Sequence, residues 1–275
     1  MVEPAGAARA GGSTRVSADA TPALAAAGVV VRFGGLTALD AIDLEVAPGT
    51  TVGLVGPNGA GKTTLFNVMS GLIRPNEGSI RLAGHDVTRL SPPARARRGL
   101  ARTYQRSELF SELTVRENLV LAYRARKRTH HLALDLLGLG RRRDGQEDTI
   151  VDGLLTSLGL DEVAAKLADS LPLGTGRLVE VGRALAAEPE VVLLDEPSAG
   201  LDEHETDLLA EALRRARVGS TVAFLLVEHD VDLVLGLSDH VYVLDFGRCI
   251  AAGPPESIRA DPGVRAAYLG TEVES

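Results

Sequence analysis

Nine consecutive residues, Gly56-Pro57-Asn58-Gly59-Ala60-Gly61-Lys62-Thr63-Thr64, have the types and spacing needed to hold a polyphosphate. A phosphate chain is wrapped by converging backbone N–H groups, and glycines at 56, 59 and 61 permit the close approach and positive φ that this demands. Lys62 supplies a cation for the outer phosphates, and the Thr63 hydroxyl is suited to ligate Mg2+. The run Leu65-Phe66-Asn67-Val68-Met69-Ser70 that follows is helix-like, which turns a positive helix end toward the anion. A Gly-rich turn that binds nothing is the competing reading. The apolar, strand-like Thr51-Val52-Gly53-Leu54-Val55 before the cradle and the helix after it favour phosphate binding.

Other polar residues fall at the ends of apolar runs. Val191-Val192-Leu193-Leu194-Asp195-Glu196 places two carboxylates at the carboxyl end of a buried strand, the edge where open α/β sheets bind ligands. Asp195 would hold Mg2+, directly or through water, and Glu196 would polarise an attacking water, because phosphoryl transfer depends on positioning and charge neutralisation. His229 ends the next apolar run in Val227-Glu228-His229-Asp230, where it is either structural or within reach of a terminal phosphate. Gln105 follows Ala101-Arg102-Thr103-Tyr104 at a further strand end and offers a neutral amide to Mg2+ or water. Phe33, ahead of the cradle strand, fits two roles equally, a core aromatic or a stacking surface for a nucleotide base.

Strands are expected at residues 28–33 and 41–46, paired antiparallel, and at 79–82, with a proline-led helix opening at Ser91-Pro92-Pro93. Thr114 and Glu117 form a capping box for a helix running to about residue 129. Helical patterning resumes over 148–159, so residues 114–169 read as a mostly helical lobe, with 124–143 basic and loop-like. Beyond it come helix 177–187, strand 191–194, helix 205–217, strand 221–227, a short helix and strand 241–244. That alternation predicts an α/β fold with a mainly parallel sheet covered on both faces. Residues 89–106 hold six arginines and no acid, either a solvated positive face or a docking surface.

Bulk composition narrows the partners. The 275 residues carry a formal net charge of −8 and only 3% aromatic residues with no Trp, which argues against nucleic acid as a partner. Cys249 is the only cysteine, which excludes an intrachain disulfide and reads as a buried thiol in a reducing compartment. The best apolar stretch, residues 221–227, is of strand length and far short of the ~20 residues that cross a membrane. Residues 1–23, rich in Ala, Gly, Ser and Thr, read as a disordered tail.

The order cradle, Gln105, a Gly-bearing loop before helix 177, Asp195-Glu196, Ser198-Ala199-Gly200-Leu201-Asp202 and His229 resembles the ATPase subunit of ABC transporters over residues 28–270. Within that family, Arg32-Phe33-Gly34-Gly35-Leu36, Arg102-Thr103-Tyr104-Gln105, Leu113-Thr114-Val115-Arg116-Glu117-Asn118-Leu119 and Tyr268-Leu269-Gly270 resemble the ATPases of branched-chain amino acid importers. The resemblance implies a P-loop NTPase core with an N-terminal antiparallel β subdomain and a helical subdomain at about 114–169, all within 24–270, followed by a tail at 271–275. It implies ATP and Mg2+ as ligands, adenine stacked on Phe33, a sensing role for Gln105, a γ-phosphate contact for His229 and a dimer seam at Asp202. It also implies a second ATPase subunit, the same or different, at the cytoplasmic face of the membrane, a transmembrane permease and, indirectly, a solute-binding protein. Gly174, Thr175 and Gly176 would complete the site across the dimer. One motif departs from the pattern: Leu171-Pro172-Leu173-Gly174-Thr175 stands where the family has Leu-Ser-Gly-Gly-Gln, lacking the serine hydroxyl and one glycine. A nucleotide-binding regulatory subunit with little hydrolysis is therefore the alternative reading.

Overall fold

The computed structural model describes residues 21–103, 109–127 and 145–269. Gln105 and most of the basic stretch 124–143 lie outside them, as do residues 1–20 and 270–275.

Three strands with unbroken apolar sequence form the centre: β3 (Thr51–Val55), β7 (Val191–Asp195) and β8 (Ala223–Val227), each buried along its whole length. With β6 (Leu100–Arg102), β9 (His240–Asp245) and β10 (Arg248–Gly253) they make a six-stranded sheet in the order β10-β9-β3-β8-β7-β6. Pairing is parallel except for β10, which returns antiparallel to β9. A second sheet in the order β2-β1-β4-β5 is antiparallel throughout and is built from β1 (Leu24–Phe33), β2 (Leu36–Val46), β4 (Glu77–Leu82) and β5 (His85–Asp86). The fold is thus an α/β P-loop NTPase fold with an antiparallel β subdomain at its N-terminus.

Strand alternation splits the interior into two cores. Val191, Leu193, Leu225 and Leu54 pack toward the antiparallel sheet and α1 (Lys62–Ser70). Val192, Leu194, Phe224 and Leu226 pack toward the helical side, which includes α3 (Val115–Lys127), α4 (Gly145–Leu158), α5 (Leu173–Ala186) and α6 (Glu203–Arg217). The expected capping box starts α3: Thr114 N donates to Glu117 at 2.9 Å, and Glu117 N donates to the Thr114 hydroxyl at 3.2 Å.

Three expectations change. Helix α5 begins at Leu173 rather than 177, with Pro172 at its N-cap, so Gly174, Thr175 and Gly176 form its first turn and not a loop. Pro172 ends the preceding segment and fits a helix start, where its missing N–H would have no partner anyway. The arginines of residues 89–106 that are described, all but Arg106, do not form one positive face. Arg95, in α2 (Pro92–Ala96), is fully buried and donates to the carbonyls of Val68, Met69, Thr88 and Leu90, while Arg102 is nearly enclosed in an ion pair with Asp195. Arg97 and Arg98 remain exposed. Cys249 is exposed, because it lies on β10, the edge strand of the sheet. The chain ends in elements that no strong periodicity announced: β10, α8 (Pro255–Ala260) and α9 (Pro262–Leu269), reached after the short α7 (Val231–Leu237) that separates β8 from β9.

Candidate active site

The cradle links the end of β3 to α1. Gly56, Gly59 and Gly61 have φ of 151°, 80° and 102°. At Gly56 a Cβ would lie 2.1 Å from the Leu244 carbonyl oxygen, and at Gly61 it would lie 2.8 Å from that of Ala38, so these turns exclude any side chain. No side chain caps α1 and no acidic residue stands in its first turn, which leaves its N-terminal N–H groups directed at the cradle.

A cavity of about 580 Å³ opens above this loop, lined by Asn58, Gly59, Ala60, Gly61, Lys62, Thr63 and Thr64 on the floor and by Phe33, Glu196 and His229 at the sides. Lys62 is buried and its Nζ donates to the carbonyls of Gly56 and Pro57, the latter at 3.0 Å. Burial lowers its pKa, against the nearby Glu196 charge, which raises it. Glu196 follows β7 in a left-handed conformation (φ 48°), with its N–H held by the Val227 carbonyl at 2.9 Å. This strained backbone separates the two adjacent carboxylates. Glu196 reaches the cavity, where its Oε1 lies 2.9 Å from His229 Nε2, whereas Asp195 is buried and pairs with Arg102 at 2.7 Å. Phe33 is 51% exposed at the cavity rim, which removes the core reading of that residue.

The residues expected in the site therefore divide. Lys62, Thr63, Glu196, His229 and Phe33 converge on one cavity, with Asp195 just beneath. Gly174, Thr175 and Gly176 lie elsewhere, at the start of α5, where the Gly174 N–H donates to Glu205 at 3.2 Å. Asp202 caps α6, accepting from the Glu205 N–H at 2.8 Å. Sequence reasoning missed Phe246, which lines the same cavity while 87% exposed and at φ 42°. Its Gly247 neighbour donates to Ala60 at 3.0 Å and so brings the β9–β10 turn onto the cradle. The Phe-Gly pair between two apolar runs was the available signal. It also missed Glu228, which is buried and accepts the Ser198 N–H at 2.7 Å.

A glycine cradle, a lysine and a carboxylate-histidine pair at the carboxyl edge of a parallel sheet define a nucleoside triphosphate-hydrolysing site. The comparisons narrow the class. A model of the ABC transporter family matches residues 39–199, and one for the branched-chain amino acid ATP-binding cassette transporter matches residues 248–274. The chain is 40% identical to the high-affinity branched-chain amino acid transport ATP-binding protein BraF of Pseudomonas aeruginosa over 250 residues, covering 90% of this chain and 98% of that protein. It is 41% identical to LivG of Escherichia coli K12, described in the same words, over 251 residues with the same coverage of both chains. Among solved structures it is similar to MJ1267, an ATP-binding cassette of an ABC transporter, in its ADP conformation, with a TM-score of 0.74 at 30% identity over 90% of this chain and 99% of that one. This chain belongs to the ABC transporter family, as an ATP-binding and ATP-hydrolysing subunit. Among the described residues no helix is long and apolar enough to cross a membrane.

Proposed function

We propose that this ATPase powers the import of branched-chain or related amino acids through a separate transmembrane permease. The observation that carries the catalytic part is the convergence of Lys62, Thr63, Glu196 and His229 on one cavity. In this reading the cradle N–H groups and Lys62 bind the phosphates, and Phe33 stacks on the base. Glu196 orients and polarises the attacking water, held in place by its bond to His229, whose ring faces the terminal phosphate. Thr63 and Asp195 supply hard oxygen donors that suit Mg2+, and Gln105 is proposed as a third. Among the described residues no cluster of three or more His, Cys, Asp or Glu could hold a metal alone, which fits a cation that keeps phosphate oxygens and waters as ligands. When bound, Mg2+ supplies neutralisation of phosphate charge.

The amino acid assignment rests on the transport function of the two relatives, each covered almost end to end, and on the C-terminal family match. The permease is proposed to seat on a cleft of about 410 Å³ between α2, β6, α3 and α5, which is lined by Pro92, Pro93, Ala96, Glu180 and Arg183. Two copies of this chain, or this chain and a second ATPase, are proposed to close on ATP, with Asp202 at the seam.

Glu196→Gln tests the mechanism. The variant is expected to bind ATP as the parent does, to lose hydrolysis by a hundredfold or more, on the order of what removal of one charge-orienting group costs, and to elute as a dimer with ATP. Phosphate release at the parent rate would remove Glu196 from this role. Uptake of labelled leucine by vesicles holding the chain with its permease and solute receptor tests the substrate. A second reading, a regulatory subunit with little turnover, is favoured by Pro172 in place of serine, and phosphate release by the assembled complex separates the two.

A further inference from the structure

We infer that Arg102 is a positioning residue for Asp195, and thereby for the divalent cation that Asp195 is proposed to bind. Arg102 ends β6, beside Leu193 of β7. Its Nη2 donates to Asp195 Oδ2 at 2.7 Å, and its Nη1 donates to Asn67 Oδ1 and Ser70 Oγ, both at 2.9 Å. Its guanidinium also lies over the Phe66 ring, 5.0 Å from the centroid. Asn67, Ser70 and Phe66 all belong to α1, the helix whose first two residues are Lys62 and Thr63. One rigid planar cation therefore ties the cradle helix to the carboxylate at the end of β7.

The ion pair is nearly dry, with the Arg102 and Asp195 side chains 10% and 6% exposed. A buried carboxylate needs a compensating charge, and one held by a single oxygen keeps the other for a second partner. Asp195 Oδ1 makes no hydrogen bond among the described residues. Arg102 thus fixes the rotation of the Asp195 carboxylate, so that the remaining oxygen meets a cation without reorganisation. The roles are those of a metal ligand and the outer partner that orients it. Lysine is a poor substitute, since a point charge cannot serve Asp195, Asn67 and Ser70 in one plane.

This inference rests on the proposed role of Asp195, and the experiment separates the two. Binding of a fluorescent ATP analogue is titrated with Mg2+ and, separately, in EDTA, for the parent, Arg102→Met, Arg102→Lys, Asp195→Asn and the Met/Asn double variant. Arg102→Met is expected to need about 10–100-fold more Mg2+ for half-maximal enhancement of binding, with affinity in EDTA unchanged and partial recovery in Arg102→Lys. Without nucleotide or metal, Arg102→Met is expected to melt lower than the parent, and the double variant to melt above Arg102→Met, because the uncompensated charge is gone. A parent-like Mg2+ requirement in Arg102→Met, or an equal loss of affinity in EDTA, overturns the positioning role. If Asp195→Asn itself leaves the Mg2+ requirement unchanged, the assignment of Asp195 as a ligand fails, whatever Arg102 does.

Discussion

Glu228 closes β8 beneath the site, where burial raises its pKa against hydrogen bonds from Ser198 and His229 that lower it, and the Glu196 charge adds to the rise. The folded chain therefore holds this proton more tightly than the unfolded chain, whose carboxyl titrates near its ordinary value of 4.5. Between the two pKa values the native state binds more protons, so this group's contribution to stability falls as pH rises, and above the raised pKa its cost is complete. Glu228→Gln keeps an acceptor oxygen for Ser198 and removes the titration. The variant is expected to be more stable than the parent near pH 8, with its lead shrinking as pH falls toward 5, as measured by urea unfolding across that range. A lead independent of pH would place the strain elsewhere. Glu228 also marks the limit of reading at this scale. Lys62, Thr63, Glu196 and His229 could be found because each stands next to an apolar run or a glycine pattern. Glu228 and Arg102 act through partners 30 and 93 positions away, and no local pattern encodes such a pairing.

Arg95 belongs to the scale of elements, because its partners are the ends of a helix and a turn. The last carbonyls of α1 lie beyond the helix's own N–H groups: the Gly71 N–H bonds that of Val68 at 3.1 Å, and Arg95 adds charged donors to Val68 at 2.7 Å and Met69 at 2.6 Å while also bonding Thr88 and Leu90. Burial lowers its pKa to about 10, which leaves it charged at neutral pH. A cation at a helix C-terminus also complements the dipole. Arg95→Ala is expected to destabilise the fold by about 3 kcal/mol or more, since buried carbonyls lose charged donors worth about 1.5–3 kcal/mol each. Arg95→Lys should recover only part of this, and denaturant midpoints within experimental error of the parent would refute the cap. The sequence pattern treated Arg95 as one more surface arginine, because a charge run is usually solvated. Strands β3, β7 and β8 were legible for the opposite reason: both faces are covered, so their sequences are continuously apolar. Strand β10 has one exposed edge and a mixed sequence, Arg248-Cys249-Ile250-Ala251-Ala252-Gly253, in which Ile250 is the one large apolar residue and no polar–apolar alternation shows.

At the scale of the whole molecule, the catalytic cavity and the start of α5 are separate surfaces of one chain, and the proposed dimer would bring the α5 start of one copy to the cavity of the other. The N-terminus of α5 is unlike that of α1. Pro172 offers no side-chain cap, and the Gly174 N–H is already engaged by Glu205, whose carboxylate also serves the α6 capping box. Glu205 therefore places a negative charge at the helix end that would face the partner's phosphates, while Pro172 withholds the hydroxyl that would meet them. Pro172→Ser changes both conditions. A serine at this position caps the helix through its oxygen, worth about 0.5–2 kcal/mol, and presents an O–H that can donate to a phosphate. Its effect on stability appears in its own subunit, whereas its effect on catalysis appears only in the partner. The test pairs a subunit with an intact cradle with a second subunit carrying Lys62→Ala, so that only one cavity turns over. Introducing Pro172→Ser into the Lys62→Ala subunit is expected to raise turnover at the intact cradle, up to the roughly hundredfold that a donor to transition-state charge supplies. The same change in the intact subunit should leave turnover as it was. Equal turnover in both arrangements, alongside a higher melting temperature, would reduce the serine to a helix cap and dissociate the α5 start from the partner's site.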